Sequence, residues 1–240
     1  MLPILLACGT FFSTLAGGLT GLRNHDRLHR LLGLTAGVVM GVVAFDLLPE
    51  IFDSLGHGVT ARTAMIALVC GFLLFHVIEK SILIHHSQEH EYEIHHHPQV
   101  GIASALALSG HSLLDGLGIG LGFQAGTSVG IAVAIAVIAH DFSDGLNTVM
   151  LMMVNRNNRR KALGMLLVDA FAPVAGAIVG TFVHISDQGL VLYLGFFAGF
   201  LLYIGASEIL PEAHSKHSSY TTIGLTIVGV VFMFFVTRYA

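Results

Sequence analysis

His111-Ser112-Leu113-Leu114-Asp115-Gly116 is followed, 29 positions later, by His140-Asp141-Phe142-Ser143-Asp144-Gly145. The two stretches carry one pattern, each in the middle of an apolar run. Each copy sets a His and an Asp four residues apart, on one helix face about one turn (~6 Å) apart. Ionisable residues at membrane depth are costly and mark a functional site by default. Two facing stripes would offer two imidazoles and two carboxylates to one point. That donor set suits a divalent transition metal.

Outward from this pair the chain is 54% hydrophobic and only 11% charged. The apolar residues fall into runs of about 20, the length that crosses a bilayer as a helix. They predict an all-α integral membrane protein with eight spans: Leu2–Leu22, Leu31–Ile51, Arg62–Leu83, Val100–Phe123, Ser128–Val154, Ala162–Val183, Gly189–Leu210 and Ile223–Tyr239. These spans use most of the 240 residues, so 1–240 reads as one polytopic domain. The loops after spans 1, 3, 5 and 7 hold Arg23, Arg27, Arg30, Lys80, Arg156, Arg159, Arg160, Lys161 and Lys216; the opposite side holds Arg62 and Arg238. By the positive-inside rule both termini lie outside the cytoplasm, in a plasma (cytoplasmic, or cell inner) membrane. Span 1 has no basic region before it and reads as a retained span. Cys8 and Cys70 fall inside spans and read as small packing residues, with no disulfide framework.

Glycine recurs at spacing four: Gly33, Gly37 and Gly41; Gly176 and Gly180; Gly195 and Gly199. Such stripes let helices approach closely. A second repeat joins Asp46-Leu47-Leu48-Pro49-Glu50, ending span 2, to Glu208-Ile209-Leu210-Pro211-Glu212, ending span 7. Spans 2 and 7 run in opposite directions under this topology, so the two acidic ends face opposite sides. Inverted repeats around a midplane site characterise alternating-access transporters. The expected layout is 3+2+3, with spans 1–3 and 6–8 as the inverted repeat and spans 4 and 5 at the centre. Asp46 and Glu50 line one mouth of the pathway, Glu208 and Glu212 the other.

The loop at about 84–99 is expected on the cytoplasmic side. It carries His85, His86, His90, His95, His96 and His97 among Gln88, Glu89, Glu91 and Glu93. A His/Glu tract has nothing to bury and captures Zn²⁺, Cu²⁺ or Ni²⁺ loosely. Nearer the centre, Asp141 adds a third carboxylate beside His140, and Asp169 a fourth in span 6, four residues before Pro173. Carboxylates gathered without a cation would repel one another, and no Lys or Arg lies at that depth in spans 4 to 6. A divalent metal resolves this. Ser112 can add a hydroxyl ligand or support one. Gly116 and Gly145 leave room beside each Asp for a second helix or an ion. His and Asp ligands fit Zn²⁺, Fe²⁺, Mn²⁺, Cd²⁺ and Co²⁺ alike, whereas Cu(I), Mg²⁺ and Ca²⁺ fit poorly.

These residues resemble the ZIP family of divalent-metal transporters over the whole chain. The family's span 4 motif reads roughly H-N-x-P-E-G and its span 5 motif H-E-x-P-E-G. His111, Ser112 and Asp115 fall on the first; His140, Asp141 and Asp144 fall on the second. The chain departs from the family where Leu114 and Ser143 replace the motif prolines and Asp replaces each ligand Glu. Ala172 stands where members with a binuclear site carry a Glu, leaving Asp169 one turn earlier as its replacement. The resemblance implies uptake of Zn²⁺, or of iron, manganese or cadmium, toward the cytoplasm. It also implies that spans 1, 4, 5 and 6 move against spans 2, 3, 7 and 8.

The metal is then transported substrate, with no cofactor and no enzyme activity. The partners are a divalent ion and lipid, not nucleic acid, and a homodimer is compatible with the pattern. An intramembrane zinc hydrolase is the rival from another class, but no HExxH occurs in the chain. A metal exporter or antiporter would carry the same residues.

Overall fold

The computed structural model describes residues 2–22, 28–55, 58–88, 98–214 and 220–239. The described residues are helical throughout, with no strand, and eight of the helices are long and apolar enough to cross a membrane. Span 1 is Leu2–Gly21, span 3 Ala61–Gln88, span 4 Pro98–Ala125, span 5 Thr127–Val154, span 6 Arg159–Phe182 and span 8 Tyr220–Tyr239. Spans 2 and 7 are each compound. Span 2 runs as α-helix over Leu28–Val42, as π-helix over Val43–Leu47 and again as α-helix over Leu48–Asp53. Span 7 repeats this with Asp187–Tyr203, Ile204–Ile209 and Leu210–His214.

The two π segments have one physical cause. A proline inside a helix lacks an N–H and presses its ring on the carbonyl four residues back. For Pro49 that carbonyl belongs to Phe45, and for Pro211 to Ser207; both lie inside the widened turns. Widening to π relieves the clash, and such bulges gather at functional sites. The acid-apolar-apolar-Pro-Glu repeat is thus a repeat of backbone geometry as well as of sequence. It puts Asp46 and Glu208 on the bulges.

The helices pack in two groups. Spans 1, 4, 5 and 6 touch one another, most closely as the pairs 4 with 6 and 1 with 5. Spans 2 and 8 form another close pair, as do spans 3 and 7, and span 2 also meets span 7. The groups meet along a seam where span 2 lies on span 5 and span 7 on span 4. Glycine sets the tightest crossings. A Cβ on Gly116 would land on the Pro173 carbonyl, one on Gly176 on the Leu113 carbonyl, and one on Gly145 on the Thr14 carbonyl. The stripe in span 2 packs on span 8, where a Cβ on Gly37 would meet the Thr226 backbone, and Gly199 of span 7 abuts Leu68 of span 3. The room beside the two motif aspartates is therefore filled by helices: span 6 at Gly116 and span 1 at Gly145.

Large apolar side chains cover the outer faces, among them Phe12, Ile66, Leu73, Phe171, Ile227 and Phe235. In lipid this is the expected surface, because hydrocarbon rather than water is the solvent. Cys8 and Cys70 are free and exposed on these outward faces, so the expectation that they pack inside is corrected. A helix that is apolar all round does not reveal its inward face. The loop boundary expected at about 84 is corrected, because span 3 stays helical through Gln88 and takes in the backbone of His85 and His86. Their side chains, with His90, His95, His96 and His97, lie outside the described residues, as do the side chains of Glu208 and Glu212.

Candidate metal centre

His111 is the midpoint of span 4, which runs from Pro98 to Ala125, and His140 the midpoint of span 5, which runs from Thr127 to Val154. The close crossings at Gly116 and Gly145 wedge these helices between spans 1 and 6. The two His/Asp stripes then face each other. One ligand atom from each of His111, Asp115, His140 and Asp144 can be chosen so that all four lie within 4.8 Å of one another. Asp115 and His140 are fully buried, and His111 and Asp144 are nearly so.

The imidazole–carboxylate distances describe the shape. His111 Nε2 lies 3.2 Å from Asp115 Oδ2 and 3.7 Å from Asp144 Oδ2. His140 Nε2 lies 3.4 Å from Asp115 Oδ2 and 3.8 Å from Asp144 Oδ2. A tetrahedron with metal–ligand bonds of about 2.0–2.1 Å has edges of about 3.3–3.4 Å. The two Asp115 edges match that length, and the two Asp144 edges are about 0.3–0.5 Å longer. Three of the four distances exceed the usual hydrogen-bond range, and the His111–Asp115 distance sits at its upper end. Among the described residues His111 Nε2, His140 Nε2 and both Asp115 oxygens have no hydrogen-bond partner. Buried polar atoms rarely stay so without a ligand to satisfy them.

The His140 ring is oriented by a backbone contact. Its Nδ1 lies 2.8 Å from the Ala136 carbonyl, which can only accept, so Nδ1 carries the proton. Nε2 then presents its lone pair to the group. Fixing one ring nitrogen to orient the other is how metal-binding histidines are held. His111 is held by ring packing across the seam. Its ring meets Phe200 of span 7 edge-on at 4.7 Å and Phe75 of span 3 at 5.8 Å. The four-residue group therefore stands on the face that spans 4 and 5 turn toward the other helix group.

The remaining sequence-predicted residues lie around this group and not in it. Asp141 is fully buried; its Oδ1 is 3.8 Å from His140 Nε2, and its Oδ2 accepts from Thr14 Oγ1 at 3.4 Å. Asp169 accepts from Ser112 Oγ on one oxygen and from Thr148 Oγ1 on the other, each at 2.8 Å. Ser112 is thus turned to a carboxylate of span 6. Thr148 escaped the sequence reading, although it continues the stripe His140, Asp144 at the same spacing. Asp46 is buried on its π turn, and its Oδ2 has no hydrogen-bond partner among the described residues. Glu50 is hydrogen-bonded to Ser54 at 3.0 Å. His76 of span 3 meets the Tyr203 ring of span 7 edge-on at 5.7 Å.

Comparison with known proteins points to a family of metal transporters. A family profile described as ZIP Zinc transporter matches residues 81–237. A protein named zinc transporter ZupT from Corynebacterium glutamicum is 26% identical, with 93% of this chain and 94% of that one covered. A second protein of that name, from Chlorobium chlorochromatii, is 25% identical over 92% of this chain and 91% of its own. A Caenorhabditis elegans protein named zinc transporter zipt-7.2 is 27% identical over 54% of this chain and 30% of its own.

Proposed function

Because the chain belongs to the ZIP family of zinc transporters, we propose that it carries Zn²⁺ toward the cytoplasm through a site formed by His111, Asp115, His140 and Asp144. The chain is a multi-pass membrane protein that transports a divalent metal; the metal is its substrate, and it is not an enzyme. The observation that carries the site assignment is the convergence of two imidazoles and two carboxylates, all four ligand atoms within 4.8 Å of one another, with both Asp115 distances at the length of a tetrahedral edge. Two imidazoles and two carboxylates neutralise a dication without help from any other charge.

The pathway follows from spans 2 and 7. Thr35 of span 2 donates to the Ala139 carbonyl at 3.3 Å, level with His140. Asp46 lies eleven residues further along, roughly 16 Å away on the helix axis. Tyr193 of span 7 reaches the Leu114 carbonyl at 3.5 Å, level with Asp115. Glu208 lies fifteen residues beyond it, roughly 22 Å away. Spans 2 and 7 cross the membrane in opposite senses, so these acids stand on opposite sides of the site. Asp46 and Glu50 draw cations to the outer mouth, Glu208 and Glu212 to the inner.

The packing supports an inverted repeat in a 3+2+3 order. Exchanging spans 1, 2, 3 and 4 with 6, 7, 8 and 5 turns the pair 2 with 8 into 7 with 3, and 1 with 5 into 6 with 4. The contacts between spans 2 and 5 become those between 7 and 4. A site on the seam between two such groups is uncovered first to one side and then to the other when they slide. The basic loops support a topology with both termini outside the cytoplasm. A cysteine substituted for Arg62 should react with an impermeant thiol reagent from outside, and one substituted for Lys161 should not; the reverse result would exchange the two mouths.

Uptake into proteoliposomes, with a panel of metals at equal free concentration, tests the function. Zn²⁺ should enter fastest, Cd²⁺ should compete, and Mg²⁺ and Ca²⁺ should do neither. The same order should hold after deletion of residues 85–97, whose histidines capture metal but do not form the path. Uptake of Mg²⁺ at the Zn²⁺ rate would refute the assignment to an imidazole site.

A further inference from the structure

We propose that Asp169 is a positioning residue that pins spans 4, 5 and 6 beneath the ligand group and does not itself hold the transported ion. This rests on reading His111, Asp115, His140 and Asp144 as the metal site. Asp169 is fully buried, and each of its oxygens receives a hydroxyl at 2.8 Å. The two donors come from the two metal-bearing spans. Ser112 follows His111 on span 4, and Thr148 lies one turn after Asp144 on span 5. One carboxylate therefore ties three helices at the level of the site.

The choice of partners is informative. Ser112 Oγ has a second acceptor within reach, the Leu108 carbonyl at 3.1 Å, but its shorter contact is to Asp169. A carboxylate is the stronger acceptor, and a hydroxyl has one proton to give. Asp169 also marks the weakest turn of span 6. Pro173 lies inside that helix and lacks the N–H that would otherwise bond the Asp169 carbonyl. The two hydroxyls hold span 6 where its own ladder is broken. A shift of span 6 there would move span 4 with it, because Gly116 rests on the Pro173 backbone.

The test is a calorimetric titration of the purified chain in nanodiscs with Zn²⁺, with bound metal counted in parallel and uptake measured in proteoliposomes. The unaltered chain should bind one tight equivalent that His140→Ala removes. Asp169→Asn keeps an acceptor for Ser112 and offers Thr148 an amide N–H; Thr148 can turn its proton to the carbonyl one turn back. It should keep the tight equivalent, with affinity within about threefold. Asp169→Leu, and the Ser112→Ala/Thr148→Val double variant, should keep the stoichiometry but weaken affinity about tenfold or more, because both lost bonds are charge-assisted. Two tight equivalents, one of them lost in Asp169→Asn, would overturn the proposal, because the charge would then be a ligand. So would a double variant that binds as the unaltered chain does, even if Asp169→Leu does not fold. If His140→Ala retains the tight equivalent, it is the site assignment that fails, whatever Asp169→Asn does.

Discussion

Asp115→Ala should reduce metal uptake to the background of empty vesicles while the protein still folds. Asp115 is the hub of the proposed ligand group: its Oδ2 lies 3.2 Å from His111 Nε2 and 3.4 Å from His140 Nε2. Changes one shell outside a metal commonly cost about 10–100-fold in affinity or activity, and loss of a ligand costs more. The fold should survive, because the substitution removes a buried carboxylate without a hydrogen-bond partner and leaves the tight crossing at Gly116 in place. Asp115→Asn holds the volume but removes the charge and turns one acceptor oxygen into an N–H donor, so it should fail as completely. Labelled Zn²⁺ uptake, with a size-exclusion profile of each variant, gives the answer. Either variant transporting within about threefold of the unaltered chain would show that the ion passes elsewhere.

The eight spans could be read from the sequence because a helix in lipid must be apolar over its whole length. The convergence of His111, Asp115, His140 and Asp144 was also legible, since spacing four fixes a helix face before any tertiary contact is known. What the helices do around those faces was not. The acid-apolar-apolar-Pro-Glu repeat showed in the letters, but the widening of each turn to π depends on how the Pro49 and Pro211 rings meet the preceding turn. Gly116 and Gly145 left helix and ion open as alternatives, and only the crossings with spans 6 and 1 decide for helix. Phe75 and Phe200 close around His111, yet nothing in their sequence separates them from lipid-facing Phe12 or Phe235. Ser112 and Thr148 needed Asp169 in place before their partner could be named.

A change that touches no ligand should be nearly as damaging. Gly116→Val should abolish uptake, because a Cβ there would fall on the backbone carbonyl of Pro173. Backbone on backbone cannot repack by a rotamer change, so spans 4 and 6 must separate. Asp115 is the preceding residue, and Asp169 lies one turn before Pro173 on the other helix. Separation therefore moves one ligand out of the group and stretches the Ser112–Asp169 bond. A shift of about 1 Å is large against metal–ligand bonds of about 2 Å. Gly145→Val should do the same through the Thr14 carbonyl of span 1. Gly110 lies on span 4 only six residues earlier, and a Cβ there would meet nothing within 4 Å. Gly110→Val should therefore transport at close to the unaltered rate. Comparing uptake and thermal stability of the three variants separates the crossing from a general cost of adding side chains in lipid. Equal losses in all three would mean that the crossings at Gly116 and Gly145 do not set the site.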